Sequence, residues 1–183
     1  VHTHVYVLAY RNPFLAAKAI ASLDRLSGGR LILGVAAGYL KAEFASLGVP
    51  FDERNDRLDE SLALARRLWR GEEVAGEGRG WSARGVLQLP TPISPGGPPV
   101  GIGGNSDAAM RRAARFGDGW SPFPTAPLLS RTAKTADISN LDLLAARVER
   151  FLGMWEAEGR EGPTRKRLGH EKQGGENPRH GRP

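Results

Sequence analysis

The stretch THVYVLAYRNPFLAAKAIASLDRLSGGRLILGV, residues 3–35, decides the class of fold. Thr3 to Tyr10 is rich in β-branched and aromatic residues and reads as a buried strand. Arg11-Asn12-Pro13 stops it, and Pro13 suits the first turn of a helix. From Phe14 to Leu26 the residues Leu15, Ala16, Ala19, Ile20, Leu23 and Leu26 recur at helical spacing, which predicts that they form the buried stripe. Gly28-Gly29 ends that helix, and Leu31 to Val35 is a short apolar strand. Strand, helix and strand in this order form a β-α-β unit, with parallel strands and a right-handed crossover.

The pattern continues outward from this unit. A second helix is predicted from about Asn55 to Trp69, with Leu58, Leu62, Ala65 and Trp69 on one face and Asn55 or Asp56 as its cap. Gly71 to Pro99 reads as an irregular excursion, with a short hairpin around Trp81 and Val86 to Leu89. Val100-Gly101-Ile102 is another strand, followed by Gly103-Gly104-Asn105-Ser106 and a helix from Asp107 to Phe116. Gly117-Asp118-Gly119-Trp120 leads into one more strand, and a last helix runs from about Asn140 to Glu158. Its expected stripe is Leu141, Leu144, Val148, Leu152 and Trp155. Such alternation means a parallel α/β sheet. Four or five strands fit an open doubly wound sheet as well as part of a closed barrel, so pattern alone leaves both open.

Composition removes several function classes. There are no cysteines, so disulfides, thiolate metal sites and cysteine nucleophiles are excluded. No run approaches the apolar length of a membrane span and no signal peptide is read, so the expected compartment is the cytoplasm, with no membrane partner. The net charge is +6, but six Lys/Arg against three Glu lie between Glu161 and Pro183. Half of the excess therefore sits in a Gly/Pro-rich tail with almost no apolar residues, expected to be disordered. The chain thus divides into a folded part, residues 1–159, and a basic tail, residues 160–183. Without Lys/Arg interleaved with aromatics, no nucleic-acid partner is expected. His2 and His4 share one strand face, but two ligands are too few and no metal site is expected.

Three segments in fixed order carry a family resemblance. The first is Arg11-Asn12-Pro13 with Leu23-Asp24-Arg25-Leu26-Ser27-Gly28-Gly29-Arg30. The second is Leu33-Gly34-Val35-Ala36-Ala37-Gly38-Tyr39, continuing to Glu43-Phe44, Gly48-Val49-Pro50-Phe51 and Arg54. The third is Pro98-Pro99-Val100-Gly101-Ile102-Gly103-Gly104-Asn105-Ser106 with Ala113-Ala114-Arg115-Phe116-Gly117-Asp118-Gly119-Trp120. Together they resemble the luciferase-like monooxygenase superfamily, and most of all its branch dependent on the deazaflavin coenzyme F420.

The resemblance implies a partial (β/α)8 TIM barrel, lacking N-terminal β/α units and C-terminal strands, with the ring of F420 or FMN at the carboxyl ends of the strands. It also implies hydride transfer between F420 and a small organic substrate, or FMN-dependent monooxygenation. Neither acid/base residues nor a metal is carried over. Gly103, Gly104, Asn105 and Ser106 are expected to cradle the cofactor phosphate at a helix N-terminus. Read from the residues alone, the same turn is first of all a tight connection capped by Asn105 or Ser106, and only the resemblance favours the phosphate. Ala37 and Gly38 are expected beside the cofactor. Thr3, His4 and Val5 are expected to back the ring, with a non-proline cis peptide between His4 and Val5. Asp24, Arg25, Glu43, Arg54 and Asp118 are assigned structural roles, Trp69 and Trp155 the core, and Trp120 a pocket wall.

Two other classes remain in view. A truncated, non-catalytic product would expose sheet edges and associate through them, with a homodimer as one form. A basic nucleic-acid-binding module would rest on charge alone.

Overall fold

The apolar strands of residues 3–35 and 100–121 assemble into one parallel sheet in the computed structural model, which describes residues 1–128, 130 and 135–161. The chain runs β1 (His2–Val7), α1 (Pro13–Leu26), β2 (Ile32–Ala36), α2 (Lys41–Ser46), a 3-10 turn (Phe51–Glu53) and α3 (Arg54–Trp69). It continues through β3 (Val74–Gly78), β4 (Trp81–Val86), β5 (Val100–Gly103), α4 (Asp107–Phe116), β6 (Gly119–Ser121) and α5 (Leu141–Ala157). The tail from residue 162 onward lies outside the described residues. No helix of the described part is long and apolar enough to cross a membrane.

Strand order decides between the two architectures that pattern left open. The sheet reads β1-β2-β5-β6, every pair parallel, with no reversal of direction. Right-handed crossovers that always advance the same way place every connecting helix on one face. A doubly wound sheet reverses its order and carries helices on both faces. Accordingly Leu33, Val35, Val100 and Ile102 are buried under the helices, while Ile32 on the opposite face is half exposed. This is the curvature and layering of half a β/α barrel.

Core packing follows the helices' inner faces. Leu58, Leu62, Ala65, Leu68 and Trp69 of α3 are buried, and the Trp69 indole donates to the Ala17 carbonyl at 3.0 Å. Asp24 is completely buried and accepts from the Ser94 amide and hydroxyl at 2.9 and 3.0 Å, tying the long 87–99 excursion to α1. Asp118 accepts from Arg66 and from the Val100 amide. Arg25 donates to the Thr91 carbonyl, Arg54 lies over the Phe51 ring, and Glu43 sits in the first turn of α2. The contacts of Asp24, Arg25, Arg54 and Asp118 agree with structural roles for these four.

Several expectations are corrected. β1 ends at Val7, and Leu8 to Tyr10 leave the strand. In α1 the buried face is Ala16, Ala17, Ile20, Ala21 and Asp24, whereas Leu15 and Leu26 are exposed. Small residues let the helix sit close to the sheet, and the leucines face outward. In α5 Phe151 and Trp155 are buried, but Leu141 and Val148 are exposed, because ion pairs of Arg147 and Arg150 with Asp107 set the rotation of the helix. The 3-10 turn runs straight into α3, so Asn55 and Asp56 lie inside the helix and Glu53 holds the cap position. The hairpin is β3 with β4, ending at Val86 instead of beginning its second arm there, and it stands apart from the main sheet. Helix α2 was not anticipated.

Candidate functional site

The carboxyl ends of the four parallel strands converge on one rim. Parallel register sets Val7 against Ala36, Val35 against Ile102, and Gly103 against Ser121. The β2 and β5 exits, which carry Ala37, Gly38 and Gly103 to Ser106, are therefore adjacent, while Thr3, His4 and Val5 lie within β1 before its exit.

At the β5 exit, Gly104 has φ +123°, which an L side chain rarely adopts, and a Cβ there would lie 2.9 Å from that of Ala109. The Gly104 carbonyl accepts from the Trp120 indole at 2.7 Å, so Trp120 fixes the turn. Ser106 is the N-cap of α4, its side chain accepting from the Ala109 amide at 3.2 Å. Asn105 is fully buried. Its Nδ2 donates to the Phe123 carbonyl at 2.8 Å and to the Thr125 hydroxyl, and its Oδ1 accepts from the Phe123 amide at 3.1 Å. The Asn105 side chain thus clamps the β6 exit to the β5 exit and does not face the rim. What the turn presents outward is backbone and the N-terminus of α4.

That helix end has unusual electrostatics. Asp107, in the first turn of α4, accepts from Arg147 at 2.6 Å and from Arg150 at 3.1 Å. Hydrogen bonds from Arg150 first, then Arg147, hold the Asp107 carboxyl below the usual aspartate range. Two guanidinium groups against one carboxylate leave one positive charge beside the free N–H groups of the helix. Neither arginine was singled out from the sequence, because the contact joins residues 40 and 43 positions apart.

On β1 the Thr3 hydroxyl donates to the Gly34 carbonyl and accepts the Gly34 amide, both at 2.9 Å, so it is committed to β2. The His4–Val5 bond is cis, and it lies inside the register shift between Thr3 and Tyr6. Val5 reaches across the sheet until its Cγ1 would be 2.8 Å from a Cβ at Gly103. His2 and His4 do share a face, with ring centroids 5.6 Å apart. No group of three or more His, Cys, Asp or Glu among the described residues is arranged to hold a metal. At the β2 exit Ala37 is partly buried against the core. Gly38 has φ +83°, and a Cβ there would meet Phe44 and Val7 at 2.9 Å, so close packing alone requires this glycine.

A feature missed in the sequence runs across the open face of the sheet. Gly34, Gly101 and Gly119 are in register on three successive strands. The space over them is open above Gly119 and bordered only by Ser121 above Gly101, whereas Gly34 is covered by the Thr3 carbonyl and His2 and Gly103 by Val5. Its lower part is a hollow of about 210 Å³ walled by His2, Ile32, Trp120 and Ser121. The signal was present in LGV, VGIG and DGW, where glycine occupies the inward position of each strand.

Comparison with known proteins adds to this geometry. Residues 1–161 match the family model described as luciferase-like monooxygenase. Over 155 residues the chain is 32% identical to an F420-dependent hydroxymycolic acid dehydrogenase of Mycobacterium tuberculosis, covering 84% of this chain and 38% of that protein. It is also 32% identical over 110 residues to an FMNH(2)-dependent dimethylsulfone monooxygenase of Pseudomonas putida, covering 58% and 30%. Among solved structures, a monooxygenase from Streptomyces bottropensis superposes with a TM-score of 0.69 at 24% identity, over 88% of this chain and 46% of that one. The chain spans less than half the length of the curated relatives it matches.

Proposed function

The chain belongs to the luciferase-like monooxygenase family, and from that premise we propose that it supplies the phosphate cradle and one wall of the ring pocket in an F420-dependent oxidoreductase. The observation that carries this reading is the β5 exit. Backbone at Gly103-Gly104, the capped N-terminus of α4 and the excess positive charge of Arg147 and Arg150 over Asp107 meet at one point of the rim. That chemistry suits a phosphate.

The floor at Gly101 and Gly119 fits part of such a group, since neither position carries or meets a side chain that would obstruct a flat ring. When bound, the deazaflavin supplies hydride transfer. The chain's own part is to bind, orient and exclude water. Gly103, Gly104 and Ser106 hold the phosphate end, and Asn105 and Trp120 are positioning residues that fix the turn. Val5 and Gly103 define the closest approach to this floor, with Thr3 locking β1 to β2 behind them. Ala37 and Gly38 close the neighbouring rim. His4, on the same strand face as His2, is the side chain assigned to ring or substrate contact. The substrate is a small organic molecule.

FMN is the second reading, supported by the resemblance to an FMNH(2)-dependent monooxygenase at equal identity. Fluorescence titration of the chain with F420 and, separately, with FMN distinguishes the two. Saturable F420 binding, weakened at least tenfold by Ser106→Asp through repulsion of phosphate at the helix end, is expected. Saturable binding of FMN alone replaces F420 with FMN, and binding of neither removes the cradle reading.

A further inference from the structure

Helix α5 holds α4 at both ends. At the first turn of α4, Arg147 and Arg150 bind Asp107. At the other end Arg160, just beyond α5, donates to the Ala114 carbonyl at 3.0 Å and to that of Gly117. These carbonyls lie at the negative end of the α4 dipole, where a cation is favoured. The Arg160 guanidinium also lies 3.9 Å over the Trp155 ring. Charge thus sets the place of α5. Two aromatic residues fill the space between, Phe151 at 7% exposure and Trp155 at 8%.

From there a run of rings leads to the rim. Trp155 lies 5.5 Å from Phe151, and Phe151 lies 5.6 Å from Trp120 with the ring planes 36° apart. Ring pairs at this separation attract each other in preferred orientations. Trp120 stands opposite Ile102 in parallel register, so its side chain leaves the sheet on the helix side, where α5 meets it. Its indole N–H ends the run at the Gly104 carbonyl, 2.7 Å away. Gly104 has no side chain and a φ of +123°, so nothing of its own fixes that peptide plane. Strand β6 is three residues long and partly buried; it holds the Trp120 backbone but not the indole. The Phe151 ring is the surface that stops the indole from turning.

We propose that Phe151 is a positioning residue for the Gly103-Gly104 turn: its ring fixes the Trp120 indole, and the indole N–H holds the Gly104 carbonyl. The consequence for cofactor binding rests on the cradle reading above, whereas the contact itself does not. A phenylalanine that only filled the core would be served nearly as well by leucine. A ring is required here because orientation is what it transmits.

Two readouts on the full chain separate positioning from packing. In the isotope-labelled, unaltered chain the Trp120 indole N–H resonance is expected to be that of a hydrogen-bonded group, protected from solvent exchange. Phe151→Leu keeps an apolar side chain on α5 and preserves the circular dichroism. It moves that resonance toward the free-indole position and speeds its exchange roughly tenfold. Trp155→Phe keeps a ring against Phe151 and loses only the indole bond to the Glu161 carbonyl, so it leaves the Trp120 resonance unchanged. Titration with F420 and with FMN supplies the second readout. For whichever binds, Trp120→Phe raises Kd about tenfold and Phe151→Leu about fivefold. The double variant stays at about tenfold, since a ring without its N–H has nothing left to position. Independent effects that multiply to roughly fiftyfold overturn the proposal. So does a Trp120 N–H that exchanges freely in the unaltered chain, or one indifferent to Phe151→Leu. Binding of neither cofactor by the unaltered chain removes the cradle reading, and the indole resonance then decides the positioning role by itself.

Discussion

Asn105 has no exposed surface, yet its amide group makes hydrogen bonds to Phe123 and Thr125. It holds the β6 exit against the β5 exit by satisfying partly buried backbone groups of Phe123. Asn105→Ala leaves the Phe123 amide and carbonyl without these partners, at a cost of about 2–3 kcal/mol. Urea denaturation measures this, and Asn105→Asp, which cannot donate to the Phe123 carbonyl, is expected to recover only part of it. Ser106→Ala removes one cap bond and costs about 1 kcal/mol. The Gly-Gly-Asn-Ser turn was legible as a candidate ligand turn from its position between strand and helix. Which of Asn105 and Ser106 turns inward was not, since both types cap helices and the deciding partners lie near residues 123 and 125. The bonds of the Thr3 hydroxyl were hidden for a similar reason: its partner, Gly34, is brought to it only by strand pairing.

At the scale of elements, β1 and β2 approach so closely that a Cβ at Gly34 would lie 2.1 Å from the Thr3 carbonyl oxygen. The obstacle is backbone, so Gly34→Ala must push the strands apart and is expected to cost about 3 kcal/mol. A fall in the denaturation midpoint with loss of β1 amide protection is the readout. The α4–α5 contact depends on charge instead. Asp107 is held below its unfolded pKa by Arg150 and Arg147. Its contribution is therefore complete above the ordinary aspartate range and disappears as pH falls through the lowered value. Because the group is a third exposed, that contribution is about 1 kcal/mol or less. Asp107→Asn is expected to speed amide exchange in α5 at neutral pH, and the difference from the unaltered chain is expected to vanish in strong acid. Equal exchange at neutral pH would mean that α5 is held by Phe151 and Trp155 alone. Helix positions were readable from periodicity except for α2, whose six residues are too few to show a period. The faces of α1 and α5 were not, because both helices are apolar on two sides and only the packing partner chooses which is buried.

For the molecule as a whole, the decisive feature is direction. Strands β1, β2, β5 and β6 advance one way round, so all crossovers lie outside and a glycine-lined face is left inside. The alternation of strand and helix announced a parallel sheet, but strand order is a property of long-range pairing that no local pattern encodes. The functional reading rests on where that order brings the β2 and β5 exits together, next to a positively charged helix end. Amide chemical shifts of the isotope-labelled chain, followed during titration with F420 and with FMN, locate that site. Perturbations centred on Gly103, Gly104 and Ser106, reaching Ala37 and Gly38, are expected for one of the two cofactors. Saturable binding whose perturbations lie elsewhere, or the absence of any at this rim with both cofactors, would contradict it.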